Sequence, residues 1–226
     1  TQPISIEELP AIDVVLISHD HYDHLDYRAV KELSDTVDTF LVPLGVKAHL
    51  QRWGVDSDKI VEHDWYQTTE YSGVSFTQTP SRHFSGRGIT NRFSTLWGSW
   101  VVKSDSMSVF FSGDSGYYDE FKRIGERYGP FDIAFMENGA YSVLWNQIHM
   151  FPEEAVQASI DLKATLFFPI HWGKYDLAFH TWTEPANRAM AAARENDVTM
   201  VSPLIGDVFN LSEYPSTPWW QKADTD

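Results

Sequence analysis

His19-Asp20-His21-Tyr22-Asp23-His24 places three imidazoles and the Asp23 carboxylate within six residues. An apolar run over 12–17, Ile-Asp-Val-Val-Leu-Ile, comes just before it and predicts a buried strand. After it, Asp26 is a candidate N-cap for a helix over 27–33. The cluster therefore sits on the polar connection between a strand and a helix. Imidazole and carboxylate are the ligands that hold zinc, iron or manganese where no thiolate is available, and the chain has no cysteine. In an extended segment residues i and i+2 point the same way, so His19 and His21 can share one ion. Asp23 and His24 fall where the chain turns and can face a second ion beside the first. A solvated polar loop is the alternative, and the density of ligand types argues against it.

Six residues cannot close two coordination shells, so further ligands must come from elsewhere. His83 follows a predicted strand over 74–79, Asp114 a strand over 107–112, and His171 a strand over 165–168. Taken singly, Asp114 in Ser-Gly-Asp-Ser-Gly suits a turn, and a lone histidine suits an ordinary polar contact. Three metal-capable residues at three strand ends can instead converge on one rim.

The remaining pattern predicts strands over 39–42, 59–62, 95–103, 131–135 and 207–211. Helices are predicted over 43–53 (opened by Pro43), 117–128, 152–162 and 183–196. The tail carries Trp219 and Trp220 and is expected to dock or fray. Several strands in succession between 59 and 112 argue for a mixed α/β (α+β by some schemes) sheet system with outer helices, not a simple parallel sheet. With 226 residues, 42% of them hydrophobic, one domain over 1–226 is expected. The formal charge of −15 repels a phosphate backbone, so nucleic acid is not an expected partner. No apolar run approaches the ~20 residues of a membrane helix. The chain opens on Thr1 with no signal peptide in view, so its true start is expected to be missing or processed away; the compartment stays open, the cytoplasm being a guess.

The ordered set His-x-His-x-Asp-His, then His83, Gly113-Asp114 and His171 resembles the metallo-β-lactamase superfamily. Further segments narrow the likeness: 18–26, Phe-Ser-Gly-Asp-Ser-Gly-Tyr over 111–117, Gly-Pro-Phe-Asp-Ile-Ala over 129–134, Asn-Gly-Ala-Tyr over 138–141, His149-Met-Phe-Pro-Glu-Glu-Ala and Ile-His-Trp-Gly over 170–173. They resemble the branch of N-acyl phosphatidylethanolamine-hydrolysing phospholipase D and its bacterial relatives. The resemblance implies an αββα sandwich with a dinuclear site at one edge, here with N-terminal strands absent. It implies that His19, His21 and His83 bind one metal, that Asp23, His24 and His171 bind the other, and that Asp114 bridges them. It also implies that His149 lies near the metals and contacts substrate.

The expected activity is metal-dependent hydrolysis of a small-molecule or lipid phosphodiester, with contact to a membrane surface possible for a lipid. Two divalent ions, zinc first with iron or manganese as alternatives, would acidify a water toward neutral pH. Asp23 would orient that water or take its proton, and His149 would serve a substrate oxygen or the leaving group. Tyr141 and Trp145 are candidates for an apolar substrate wall beside His149. Arg82, Arg87 and Arg92 flank His83 and could attract an anion. Asp13 and Asp26 could orient ligating imidazoles, capping being the other use of Asp26. His49 and His63 read as structural or exposed; His180 could line the same mouth, an ordinary polar contact being the favoured reading. Hydrolysis of a lactone or another carbon ester is the alternative within this fold. A non-catalytic metal-binding scaffold is the alternative outside it, although all seven ligand positions are filled.

Overall fold

The computed structural model describes residues 4–223. Three parallel strands, β1 (Val14–Leu16), β2 (Thr39–Pro43) and β3 (Ile60–His63), form one sheet in that order. The second sheet contains β4 (Thr68–Tyr71), β5 (Val74–Thr79), β6 (Ser99–Lys103), β7 (Ser108–Phe111), β8 (Phe131–Glu137), β9 (Ala164–Ile170) and β10 (Thr199–Met200), ordered 10-9-8-7-6-5-4. Its β4–β7 half is antiparallel and its β7–β10 half parallel.

Alternation along the strands builds the layers. In β2, Phe40 and Val42 pack with Val30 of α1 (Tyr27–Leu33) and Leu50 of α2 (Lys47–Arg52), while Leu41 turns to the other sheet and meets Phe76 and Trp100. In β7, Phe111 joins that inter-sheet seam, whereas Phe110 packs outward with Phe121 and Ile124 of α3 (Glu120–Tyr128). The same outer core takes Val156 and Leu162 from α4 (Pro152–Asp161) and its end, and Ala189 and Met190 from α5 (Glu184–Glu195). The order of layers is helix, sheet, sheet, helix, as expected, and among the described residues the first sheet has three strands.

Asp26 caps α1 by accepting the Ala29 N–H at 2.7 Å. Pro43 ends β2 instead of opening a helix: Leu44 donates its N–H to the His63 carbonyl, and α2 starts at Lys47. The strand expected over 207–211 does not form. Phe209 and Leu211 instead pack on Ile133 and Leu166 from an irregular segment, so their apolar character reports burial and not pairing. The tail docks through a short helix, α6 (Trp220–Ala223), with Trp220 fully buried.

Candidate metal centre

Every one of the seven candidate ligands lies just beyond a strand. The 18–26 segment follows β1, His83 follows β5, Asp114 follows β7 and His171 follows β9. Both sheets thus deliver side chains to one edge of the sandwich. His171 has a left-handed backbone (φ 64°), and its carbonyl packs on the Cα of Gly139, where a Cβ would lie 1.9 Å from it. Only glycine leaves that space free.

The side chains gather in two groups. His19 Nε2 lies 3.0 Å from His21 Nδ1, and His83 Nε2 lies 3.2 Å from that same atom. On the other side, His171 Nε2 and His24 Nε2 lie 3.4 and 3.5 Å from Asp23 Oδ2. Asp114 stands between the groups. Its Oδ2 is 3.2 Å from His24 Nε2, 3.7 Å from His83 Nε2 and 3.8 Å from His19 Nε2, and its Oδ1 is 3.5 Å from His171 Nε2. In each of the sets His19/His21/His83, Asp23/His24/His171 and His19/His24/Asp114, one donor atom per residue lies within 4.8 Å of the others. His24 Nε2 and Asp114 Oδ1 are buried without a hydrogen-bond partner. Nitrogen lone pairs facing one another around an acceptor-only carboxylate are the donor set a divalent cation satisfies.

The surroundings fix these rings. His83 Nδ1 donates to the Ile148 carbonyl at 2.9 Å, leaving Nε2 for the centre, and Ser18 Oγ engages His19 Nδ1 at 3.0 Å. The acids expected to orient these rings do other work: Asp26 caps α1, and it is Asp20 that braces the ligand loop. Asp13 accepts the Thr39 N–H through its carbonyl. Asp20 is fully buried, accepts the Gly86 N–H at 2.6 Å and meets His49 Nε2 at 3.3 Å. Arg87 donates to the carbonyls of Asp20 and Leu25, both at 2.8 Å, so it clamps the ligand loop and is not offered to an anion. Arg82 is likewise engaged with the Tyr117 carbonyl.

Proton affinities divide the two groups. Burial holds His19 well below the ordinary histidine range and pushes His83 down to about 3. Burial also opposes charge on His171, but the carboxylates of Asp114, Asp23 and Glu137 outweigh it and raise that ring to about 9. A cation bound at His171 must therefore displace a proton below that pH. Apparent affinity in the Asp23/His24/His171 group is expected to rise about tenfold per pH unit up to about pH 9. The His83 group should show no such slope near neutrality. Calorimetric zinc titrations in buffers of different pH check both statements through the protons released.

Beside the centre lies a cleft of about 420 Å³ whose lining includes Asp23, His83, Arg92, Trp145, His149 and His171. A second cavity of about 540 Å³ adjoins it across Asp23, Ala140, His171 and Leu177, and adds Lys174 and His180. Arg92 lies over the Phe84 ring at 4.4 Å. Tyr141 stands behind this wall, not in it. It is buried, gives its hydroxyl to Glu184 at 2.8 Å and stacks on His180 at 4.3 Å.

Comparison with known proteins places the chain in a family. A family model described as "Beta-lactamase superfamily domain" matches residues 1–172. An uncharacterised protein of Mycobacterium tuberculosis is 45% identical over 97% of this chain and 60% of its own length. N-acyl-phosphatidylethanolamine-hydrolyzing phospholipase D 1 of Caenorhabditis elegans is 34% identical over 93% of this chain and 64% of its own. The chain thus spans about three fifths of these relatives. Among solved structures, Igni18, a metallo hydrolase of Ignicoccus hospitalis, superposes with a TM-score of 0.70 at 19% identity, covering 91% of this chain and 83% of that one. With the family model spanning most of the sequence, the chain belongs to the β-lactamase superfamily.

Proposed function

We propose that this chain is a metal-dependent hydrolase of phosphodiesters, with a lipid as the natural substrate class. The observation that carries the reading is the bridged pair of ligand groups opening onto a cleft that also presents His149 and Arg92. Two divalent ions, zinc in the first instance, would supply Lewis acidity toward substrate oxygens and would acidify a water. His19, His21 and His83 would hold one ion, Asp23, His24 and His171 the other, and Asp114 both. Asp23 faces the cleft and orients the attacking water or accepts its proton. The Arg92 guanidinium attracts the anionic phosphate. His149 bonds a phosphate oxygen or protonates the leaving group, and Trp145 offers an apolar face to an acyl arm. The name of the nematode relative supports a lipid phosphodiester.

The loops that line the cleft also carry exposed apolar tips: Ile89, Val143, Leu144 and Phe179 are each more than three-quarters exposed. Such tips suit a headgroup-level contact with a lipid surface. Zinc-loaded protein is expected to hydrolyse bis(4-nitrophenyl) phosphate and N-acyl phosphatidylethanolamine vesicles, and to leave a simple lactone intact. Preferential opening of the lactone would overturn the phosphodiester assignment. Metal retention without turnover of either class would make the centre a scaffold.

A further inference from the structure

Glu137 is the last residue of β8, paired with Ile170 of β9 and thus beside the ligand His171. Its side chain is fully buried. Oε1 accepts from His149 Nδ1 at 2.7 Å, Oε2 accepts the Met150 N–H at 3.2 Å, and its own N–H is donated to Ser112 Oγ at 2.8 Å. The His149 ring stacks parallel to His171 (5.6 Å, 9°) and edge-on to His83 (5.2 Å, 65°). It is the one histidine in contact with a ligand from each group that is not itself among the seven.

A buried carboxylate is an expensive way to hold a strand end. Desolvation costs several kcal/mol, and apolar replacements of buried ionic groups are often neutral or stabilising. Among the described residues, the ion-pair partners of Glu137 are the rings of His149 and His171. Packing alone would be served as well by leucine. What leucine cannot do is accept the Nδ1–H of His149, a contact that leaves Nε2 as the ring nitrogen available to the cleft.

We infer that Glu137 is a positioning residue, which fixes the tautomer and aim of the His149 ring so that Nε2 meets the substrate. Only the kinetic part of the test rests on the phosphodiester reading. In zinc-loaded protein labelled with ¹⁵N-histidine, and with H149N used for assignment, His149 is expected to keep its Nδ1 proton, both as the neutral Nδ1–H tautomer and as the imidazolium whose Nε2–H reaches a phosphate oxygen. E137Q, whose amide oxygen can still accept, should preserve it; E137L should lose it. With bis(4-nitrophenyl) phosphate, E137L is expected to lower kcat about 10- to 100-fold. KM and zinc per chain should stay near the wild-type values, and E137Q should regain most of the loss. Persistence of the Nδ1–H tautomer in E137L, or an Nε2–H tautomer in the wild type, overturns the inference. So does a fall in turnover that merely follows loss of zinc, which would make Glu137 part of the metal support. Should the wild type prove inert to phosphodiesters, the phosphodiester reading fails and the tautomer measurement still decides the role of Glu137.

Discussion

D114N is expected to strip the centre of metal and abolish turnover, while leaving the fold in place. The substitution preserves shape and removes one charge. Asp114 is buried and faces four imidazoles, those of His19, His24, His83 and His171, between 3.2 and 3.8 Å away. Burial alone would keep its carboxyl protonated, yet the facing rings His171, His24 and His19 hold it well below the usual carboxylate range. It is therefore the anion that meets both ligand groups. Removing one partner from a buried charged set costs about 3–5 kcal/mol, or roughly 10²–10⁴ in metal affinity. Elemental analysis after gel filtration, together with the circular dichroism of the variant, tests this. A variant that keeps two ions per chain would show that Asp114 does not bridge.

W220A is expected to give the largest loss of stability outside the centre. Trp220 is fully buried, donates its indole N–H to Asn187 at 2.9 Å, and meets the Trp172 ring edge-on at 5.3 Å. Truncating a buried tryptophan costs about 3–5 kcal/mol, a large part of the 5–15 kcal/mol that holds an ordinary domain together. The urea midpoint should fall accordingly. Because Trp172 follows His171 directly, the Asp23/His24/His171 group should also lose affinity for zinc. A shift below about 1 kcal/mol would mean that the tail contributes little.

These two residues also show what could be read from the chain alone. Asp114 was legible because its Gly-Asp setting follows an apolar strand, and because the 19–24 cluster demands further ligands at such a place. Trp220 was not, since a polar tail gives no periodicity and its pocket is assembled by α5 and Trp172, distant in sequence. The layers were legible where one strand face differs from the other, as in β2. β4 escaped because Thr68–Tyr71 is a polar edge strand with alternating exposure, although Ser72-Gly73, both at positive φ, is the turn signal of a two-residue hairpin. β10, two residues long, is recognisable only by its pairing with β9. Asp20 and Glu137 illustrate a different limit. Ligands announce themselves by residue type and spacing, whereas the acids that brace the ligand loop or meet His149 are ordinary residues whose role depends on what lies opposite.

The origin of the ligands in both sheets has a thermodynamic consequence. His19, His21, Asp23 and His24 leave the three-stranded layer, and His83, Asp114 and His171 leave the seven-stranded one. An ion held by both is a reversible crosslink across the Leu41–Phe76–Trp100 seam. By mass action, free metal at a hundred times its dissociation constant adds about 2.7 kcal/mol to the folded state. The melting temperature then becomes a function of metal supply, and amide exchange along the seam should slow as the ion binds.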